Sequence, residues 1–187
     1  MGKKVLLIDG DLRKPDVARL LRVQYPRDGL REFLLGKHFE QVVCAGALPG
    51  LSVLTASACK TSTIYELISQ KRTADFLSVA GREYDHVIVD SPPVLAVPDA
   101  LLWARMVDAV VLAGIAGQTA SGDLKETYRR LTQIHVNVLG TVLNNVSVES
   151  SYNPYGYGYS YRKDGAKRER ASRKAMLPAA QRTARKA

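Results

Sequence analysis

The sequence predicts an α/β protein in which a mostly parallel sheet carries helices on both faces. Two observations support this prediction. Short continuous apolar runs, typical of strands buried on both faces, recur along the chain. Stretches with the apolar spacing of helices separate these runs, so that strands and helices alternate as β-α-β units. In such sheets ligands bind beyond the carboxyl ends of the strands, which is where functional residues are expected.

Five apolar runs are predicted strands. The first, KKVLLIDGD, ends in acidic residues, and the third, DHVIVDSPP, ends in one aspartate before two prolines that stop the strand. The other three are apolar runs of similar length. The predicted strands lie at residues 3–11, 51–56, 85–93, 108–117 and 136–146.

Four segments between these strands are predicted helices. Pro15 and Pro98 suit the first turn of a helix, and Gly81 lies near the end of the longest predicted helix. Apolar residues recur on one side of each segment. The predicted helices lie at residues 15–23, 63–84, 98–106 and 121–135.

The net charge of +9 is concentrated at the end of the chain. Residues 162–187 carry 10 basic and 2 acidic side chains, whereas the preceding part is almost neutral. We expect this basic segment to be disordered and to attract anionic membrane surfaces. No nucleic-acid-binding motif is present, so no specific nucleic-acid partner is expected. The two cysteines form no disulfide framework and no apolar run matches a membrane span, which indicates a cytoplasmic chain.

Acidic side chains stand at the ends of two predicted strands. Asp9 and Asp11 lie two residues apart, so both carboxylates can lean the same way, and Asp90 ends the third strand. Such a group favours Mg²⁺ beside a nucleotide, and Arg13 could neutralise phosphate charge. The simpler alternative is that each aspartate only caps the following turn or helix.

These residues lead to a family resemblance. VLLIDGDLRKP resembles the Walker A′ motif, and YDHVIVDSPPVLAVPDA resembles the Walker B region, of bacterial tyrosine kinases. These kinases are the cytoplasmic domains of polysaccharide co-polymerases, which control the chain length of capsular and exopolysaccharides. DGLREFLLG and residues 108–146 are similar to further segments of the family in the expected order. The aspartate motifs alone would also admit the related MinD and ParA ATPases.

The resemblance implies a role for each site residue. Asp9 and Asp11 would serve the magnesium ion, and Asp9 is also a candidate base toward the tyrosine hydroxyl. Asp90 would hold the ion from the Walker B strand, and Asn144 would contact the adenine base. The implied cofactors are therefore ATP and Mg²⁺.

A tyrosine-rich segment follows the last predicted strand. It resembles the autophosphorylation segment of the family, in which glycines keep the chain mobile enough to enter a neighbour's active site. The resemblance also implies a homo-oligomeric ring and a membrane-bound co-polymerase or activator partner at the inner face of the plasma membrane. The implied phosphate acceptors are Tyr152, Tyr155, Tyr157, Tyr159 and Tyr161.

The largest departure of the sequence from the family is that no G-x-x-x-x-G-K-[ST] loop occurs in it. Lys60-Thr61 lacks a preceding glycine and is a poor substitute. In the family this loop follows a strand beside the Walker B strand, so we expect a sheet short of a central member and weak ATP binding. A fragment, one half of a split gene and a degenerate homologue all remain open.

Three functional readings follow. The first is the carboxy-terminal part of an ATP-dependent tyrosine autokinase in polysaccharide synthesis and export. The second is a non-catalytic phospho-acceptor or interaction module, and the third is a fragment of a MinD- or ParA-type ATPase, which the tyrosines disfavour. The expected divisions are a partial nucleotide-binding kinase domain (1–148), a Tyr/Gly-rich tail (149–165) and a basic tail (166–187).

Overall fold

The structure is a computed structural model that describes residues 2–23 and 28–146. Within these residues the chain forms two sheets. The first contains four strands, with three of them parallel to one another. Their bounds are β1 Val5–Asp9, β2 Val43–Ala45, β3 Leu51–Leu54 and β4 His86–Asp90.

In the first sheet the strands lie in the order β2-β3-β1-β4. β1 is central and pairs in parallel with β3 on one side and with β4 on the other. β2 pairs with β3 in the antiparallel direction. Central β1 is buried, with Leu6 and Ile8 fully enclosed, as its continuous apolar sequence predicts.

The second sheet consists of the last two strands, β5 (Val110–Ile115) and β6 (Val138–Asn144), which pair in parallel. No hydrogen-bonded ladder joins β4 to β5 in the described part of the chain. This interruption agrees with the expectation of a sheet short of a central member. It leaves one edge of β4 and one edge of β5 without a strand partner among the described residues.

Six α-helices and one short 3-10 helix, Phe39–Gln41, connect the strands in the described ranges. The main core joins β1 and β3 to several of the α-helices through residues such as Leu6, Leu54, Ile64 and Trp103. The bounds of the α-helices are α1 Val17–Leu20, α2 Leu30–Leu34, α3 Thr61–Ser69, α4 Lys71–Glu83, α5 Asp99–Ala104 and α6 Ser121–Gln133.

The α/β class, the mainly parallel sheet and all five predicted strands are confirmed. Two local predictions were wrong, and two short elements, α2 and β2, were not predicted. The helix predicted at 63–84 is two helices, because Gln70 has an extended backbone (φ −65°, ψ 147°). The helix predicted at 15–23 is only the four-residue α1, and Leu20 on it is exposed. β2 was not predicted, since it has three residues and an antiparallel partner.

No helix in residues 2–23 and 28–146 combines the length and the apolar character needed to span a membrane.

Candidate active site

The two acidic strand ends lie side by side. β1 and β4 pair in a register that sets Asp9 opposite Asp90. The loop after β1 is joined to the end of β4, because the backbone N–H of Gly10 donates to the Asp90 carbonyl oxygen at 2.7 Å. The sequence-based expectation that these strand ends form one edge of the sheet is therefore met.

Asp9 is the buried member of the group, with 1% of its surface exposed. Its Oδ1 accepts a hydrogen bond from the backbone N–H of Asp11 (3.3 Å), and its Oδ2 accepts one from that of Val17 (3.1 Å). Burial raises the pKa of Asp9 to about 6, and the charges of Asp90 and Asp11 add to the rise, while these two hydrogen bonds oppose it. Asp9 thus orders the loop and the start of α1, so the capping alternative describes part of its role.

Asp11 and Asp90 are the accessible carboxylates. Oδ1 of Asp11 accepts the backbone N–H groups of Arg13 and Lys14, each at 2.9 Å, which closes a tight turn. Both of these hydrogen bonds use Oδ1, so Oδ2 accepts no hydrogen bond from the described residues. Asp90 is exposed at the strand end; partial withdrawal of its carboxyl from water, followed by the nearby charge of Asp11, raises its pKa.

These two carboxylates fit Mg²⁺ in a nucleotide site. Within the described residues no group of three or more His, Cys, Asp or Glu side chains is arranged to hold a metal ion. Mg²⁺ bound beside substrate phosphates uses one or two carboxylates and fills its remaining positions with phosphate oxygens and water. Asp11 and Asp90 suit that arrangement, and the negative charge of Asp11 adds to the burial that raises the pKa of Asp90.

Arg13 is held by a residue that the sequence did not single out. Its Nε and Nη2 donate to the two carboxylate oxygens of Asp99 at 2.6 and 3.1 Å. Asp99 is the first residue of α5 and is 1% exposed. Arg13 therefore uses two of its five N–H donors on Asp99, and its predicted phosphate contact depends on the others.

Trp103, also on α5, is the second residue that sequence reasoning missed. Its Nε1–H donates to the Gly10 carbonyl oxygen at 3.0 Å. A Cβ at Gly10 would lie 2.7 Å from the Asp90 carbonyl oxygen and 2.9 Å from Val89 Cγ1, so only glycine fits. The available sequence signals were weak: Trp103 is the only tryptophan, and Asp99 follows Pro98 at a helix start.

Asn144 lies in the other sheet. It ends β6 opposite Ile115, and its Oδ1 accepts the backbone N–H of Asn145 at 2.8 Å. Thr119, also expected near a strand end, accepts the Ile115 backbone N–H at 2.9 Å through its Oγ1. The adenine contact predicted for Asn144 stays a prediction. The five predicted acceptor tyrosines, Tyr152, Tyr155, Tyr157, Tyr159 and Tyr161, lie outside the described residues.

A cavity of about 610 Å³ separates the two sheets. Residues 84–89, at β4, line one side, and residues 106–111, at β5, line the other. Trp103 and Ala104 of α5 form part of its wall. The walls are mainly apolar, and β4 and β5 both offer strand edges to it. We call this space the inter-sheet gap.

Several curated proteins similar in sequence to this chain are tyrosine-protein kinases. No protein-family model matches the chain. The tyrosine-protein kinase YwqD of Bacillus subtilis is 36% identical over 157 residues, which make up 83% of this chain and 65% of YwqD. The tyrosine-protein kinase etk of Escherichia coli is 35% identical over 156 residues. The chain spans only 21% of the length of etk.

Solved structures similar to this chain include kinase domains of the same family. The kinase domain of VpsO has a TM-score of 0.72 and 32% identity, over 78% of this chain and 72% of that domain. The kinase domain of the E. coli tyrosine kinase ETK has a TM-score of 0.74 and 35% identity, over 84% of this chain and 61% of that domain. The cell-division ATPase MinD of Pyrococcus furiosus, at 19% identity and a TM-score of 0.62, shares the fold. By sequence and by structure, this chain belongs to the bacterial tyrosine kinases.

Proposed function

We propose that this chain is the carboxy-terminal part of an ATP-dependent protein-tyrosine autokinase that regulates capsular or exopolysaccharide synthesis and export. The observation that carries the proposal is the pairing of Asp9 with Asp90, with Asp11 beside them, at the carboxyl edge of the first sheet. Identity to tyrosine kinases near 35%, against 19% to MinD, favours a kinase over a partitioning ATPase.

In this proposal the three aspartates have different roles. Asp11 and Asp90 would hold Mg²⁺, which would supply positive charge to offset that of the transferring phosphate. Asp9 keeps the loop and α1 in place through its two backbone hydrogen bonds. A base toward the tyrosine hydroxyl must be reachable. The Asp11 residue is half-buried whereas Asp9 is 1% exposed, so we assign proton acceptance to Asp11 in preference to Asp9.

The phosphate-binding loop is proposed to come from a strand that fills the inter-sheet gap. A strand there would run parallel to β4 and β5 and would end at the same edge as Asp9 and Asp90. A glycine-rich loop after that strand would face the aspartates. The chain alone would then bind ATP weakly, because backbone N–H groups of that loop supply most phosphate contacts.

The tyrosine-rich segment is the proposed phosphate acceptor, and a membrane-bound polysaccharide co-polymerase is the proposed partner. The same proposal includes three further expectations. The chain assembles into a ring, Asn144 contacts the adenine base, and the basic tail is attracted to the inner membrane face. The alternative of a non-catalytic phospho-acceptor module is favoured by one sequence observation, the absence of a G-x-x-x-x-G-K-[ST] loop beside a complete tyrosine cluster.

Two measurements test this function. Calorimetry on the chain alone should show no micromolar, magnesium-dependent ATP binding.

In the second measurement the chain is fused to the part of the E. coli ETK kinase domain that it does not match, and phosphotyrosines are mapped by mass spectrometry after ATP is added. We expect phosphate on the tyrosine-rich segment, and at least about a hundredfold loss in the same fusion carrying Asp11→Asn. A fusion that binds ATP but forms no phosphotyrosine would favour the acceptor-module alternative.

A further inference from the structure

Two buried residues of α5 point to the loop that follows β1. Asp99 and Trp103 are four residues apart, so they lie on the same side of the helix, one turn from each other. Their exposed fractions are 1% and 2%. Asp99 binds the Arg13 side chain, and Trp103 binds the backbone at Gly10.

The loop's own hydrogen bonds do not fix its place on the protein. The carboxylates of Asp9 and Asp11 accept backbone N–H groups between Asp11 and Val17, which sets the shape of the loop. Its position relative to Asp90 depends on contacts with other elements. Those contacts include the Gly10–Asp90 backbone hydrogen bond and the two side chains of α5.

We propose that Asp99 and Trp103 are positioning residues that hold the loop bearing Asp9 and Asp11 against the end of β4. The catalytic meaning of this role rests on the proposed function, but the contacts themselves can be tested without nucleotide. Asp99 accepts a bidentate, charge-assisted hydrogen bond from the Arg13 guanidinium, and its own side chain is almost completely buried. Bidentate pairs of this kind are among the strong hydrogen bonds in proteins. Trp103 contributes a neutral hydrogen bond from a rigid ring.

Asp99 also controls where the Arg13 guanidinium lies. The hydrogen bond to Asp99 raises the pKa of Arg13, and the negative charges of Asp99 and Asp11 add to this rise. Without the Asp99 charge, the guanidinium is free to turn toward Asp11 and occupy the carboxylate that the proposed site needs. Asp99 therefore keeps a cation beside the acidic group while preventing it from neutralising that group.

The test is hydrogen exchange of backbone amides in the full chain by NMR, without nucleotide or metal. The variants are Trp103→Phe, which keeps an aromatic ring but removes the N–H donor, and Asp99→Asn, which removes the charge. The matched control is Asp85→Asn, because Asp85 also pairs with a cation, Lys3 at 2.7 Å, but at the start of β4.

Exchange of the amides of Asp11, Arg13 and Val17 should quicken about fivefold in Trp103→Phe and at least about tenfold in Asp99→Asn. It should stay unchanged in Asp85→Asn. The single indole N–H signal of Trp103 supplies a spectroscopic signature: its exchange should also quicken in Asp99→Asn, since the loop carries its acceptor.

Unchanged exchange in the loop of both variants would overturn the proposal. So would a uniform rise across β1, β3 and β4, which would mark Asp99 and Trp103 as general stability residues. If Trp103→Phe does not fold, Asp99→Asn with the indole signal decides the question alone. Phosphotyrosine formation by the ETK fusion reports separately on the proposed function, so the two ideas can fail independently.

Discussion

A single aspartate, Asp9, has the capping role that the sequence offered as the alternative to a catalytic one, although it lies in the proposed site. It caps α1 through the Val17 amide, and it lies opposite Asp90 at the proposed metal edge. Both features follow from its position at the end of a central strand, where a buried carboxylate must find backbone donors. A substitution at Asp9 would therefore disturb the loop structure and the proposed metal site together.

Asp9 should make stability fall as pH rises from about 4 to about 6. Its folded-state pKa is raised from 3.8 to about 6, so the folded chain binds this proton more tightly than the unfolded chain does. The stabilisation is present below pH 4 and is lost as pH rises through the folded pKa. Relative to Asp9→Asn, the wild type should lose up to about 3 kcal/mol of unfolding free energy between pH 4 and pH 7.

Urea unfolding of both proteins across this pH range measures the difference. Asp85→Asn is the control of opposite sign, because the Lys3 ammonium holds the pKa of Asp85 below its usual value. That control should show wild-type stability gained, not lost, as pH rises through the acidic range. A pH-independent difference between Asp9→Asn and wild type would contradict the prediction.

Gly10 should tolerate no side chain. A methyl group there would meet the Asp90 carbonyl oxygen and Val89, both closer than van der Waals contact permits, so the loop or β4 must shift. We expect Gly10→Ala to cost about 2 kcal/mol or more of unfolding free energy. Gly81→Ala is the matched control: its site in α4 is open, and helix propensity predicts a gain of about 0.5–1 kcal/mol. Equal effects of the two substitutions would refute this account.

At the scale of elements, the junction of α3 and α4 shows how a buried local hydrogen bond stabilises a break that helix periodicity does not predict. Thr73 is fully buried in the first turn of α4, and its Oγ1 donates to the Leu67 carbonyl oxygen at 3.1 Å. Its backbone N–H donates to Gln70. These bonds satisfy groups at the end of one helix and the start of the next, and so stabilise the break at Gln70.

Thr73→Val should therefore destabilise the protein by about 1–2 kcal/mol, because it leaves the Leu67 carbonyl oxygen without this buried donor while preserving side-chain shape. Thr132→Val is the matched control. Thr132 makes comparable hydrogen bonds to Tyr128 and Arg129 but is exposed, so water replaces them and the cost should stay within about 0.5 kcal/mol. Thermal unfolding compares the two, and a larger loss in Thr132→Val would contradict the argument.

The elements also show what local sequence can predict. Continuous apolar runs located β1 and β4, and the parallel pattern then placed Asp9 and Asp90 at one edge. The roles of Asp99 and Trp103 could not be predicted, because their partners are 86 and 93 residues away and neither end of these contacts has a local signature. The break at Gln70 was missed for a different reason, because the apolar spacing of a helix continues across it.

At the scale of the whole described body, the inter-sheet gap is the dominant feature. Several large apolar side chains of β4, β5 and β6 are more than half exposed: Ile88, Val111, Leu139, Val142 and Leu143. Parallel sheets are normally buried on both faces, so this exposure is unusual for strands of such sequence. Unpaired strand edges beside exposed apolar groups favour pairing with other chains.

The chain should consequently self-associate through the inter-sheet gap. Ile88 and Val111 line the gap and are 52% and 54% exposed, so Ile88→Lys and Val111→Lys place a charge on each unpaired edge. Leu48→Lys is the matched control, since Leu48 is 68% exposed but lies in the β2–β3 turn, away from the residues that line the gap.

Sedimentation velocity over a range of concentrations measures the outcome. We expect oligomers in the wild type and in Leu48→Lys, and a shift toward monomer in both gap variants, because a lysine at a strand edge must be desolvated before another strand can pair. The fusion that supplies a strand to the gap should be less prone to self-association through this surface and should unfold at a higher temperature. A wild-type chain that is a monodisperse monomer with one sharp thermal transition would show that the exposed edges are stable without a partner.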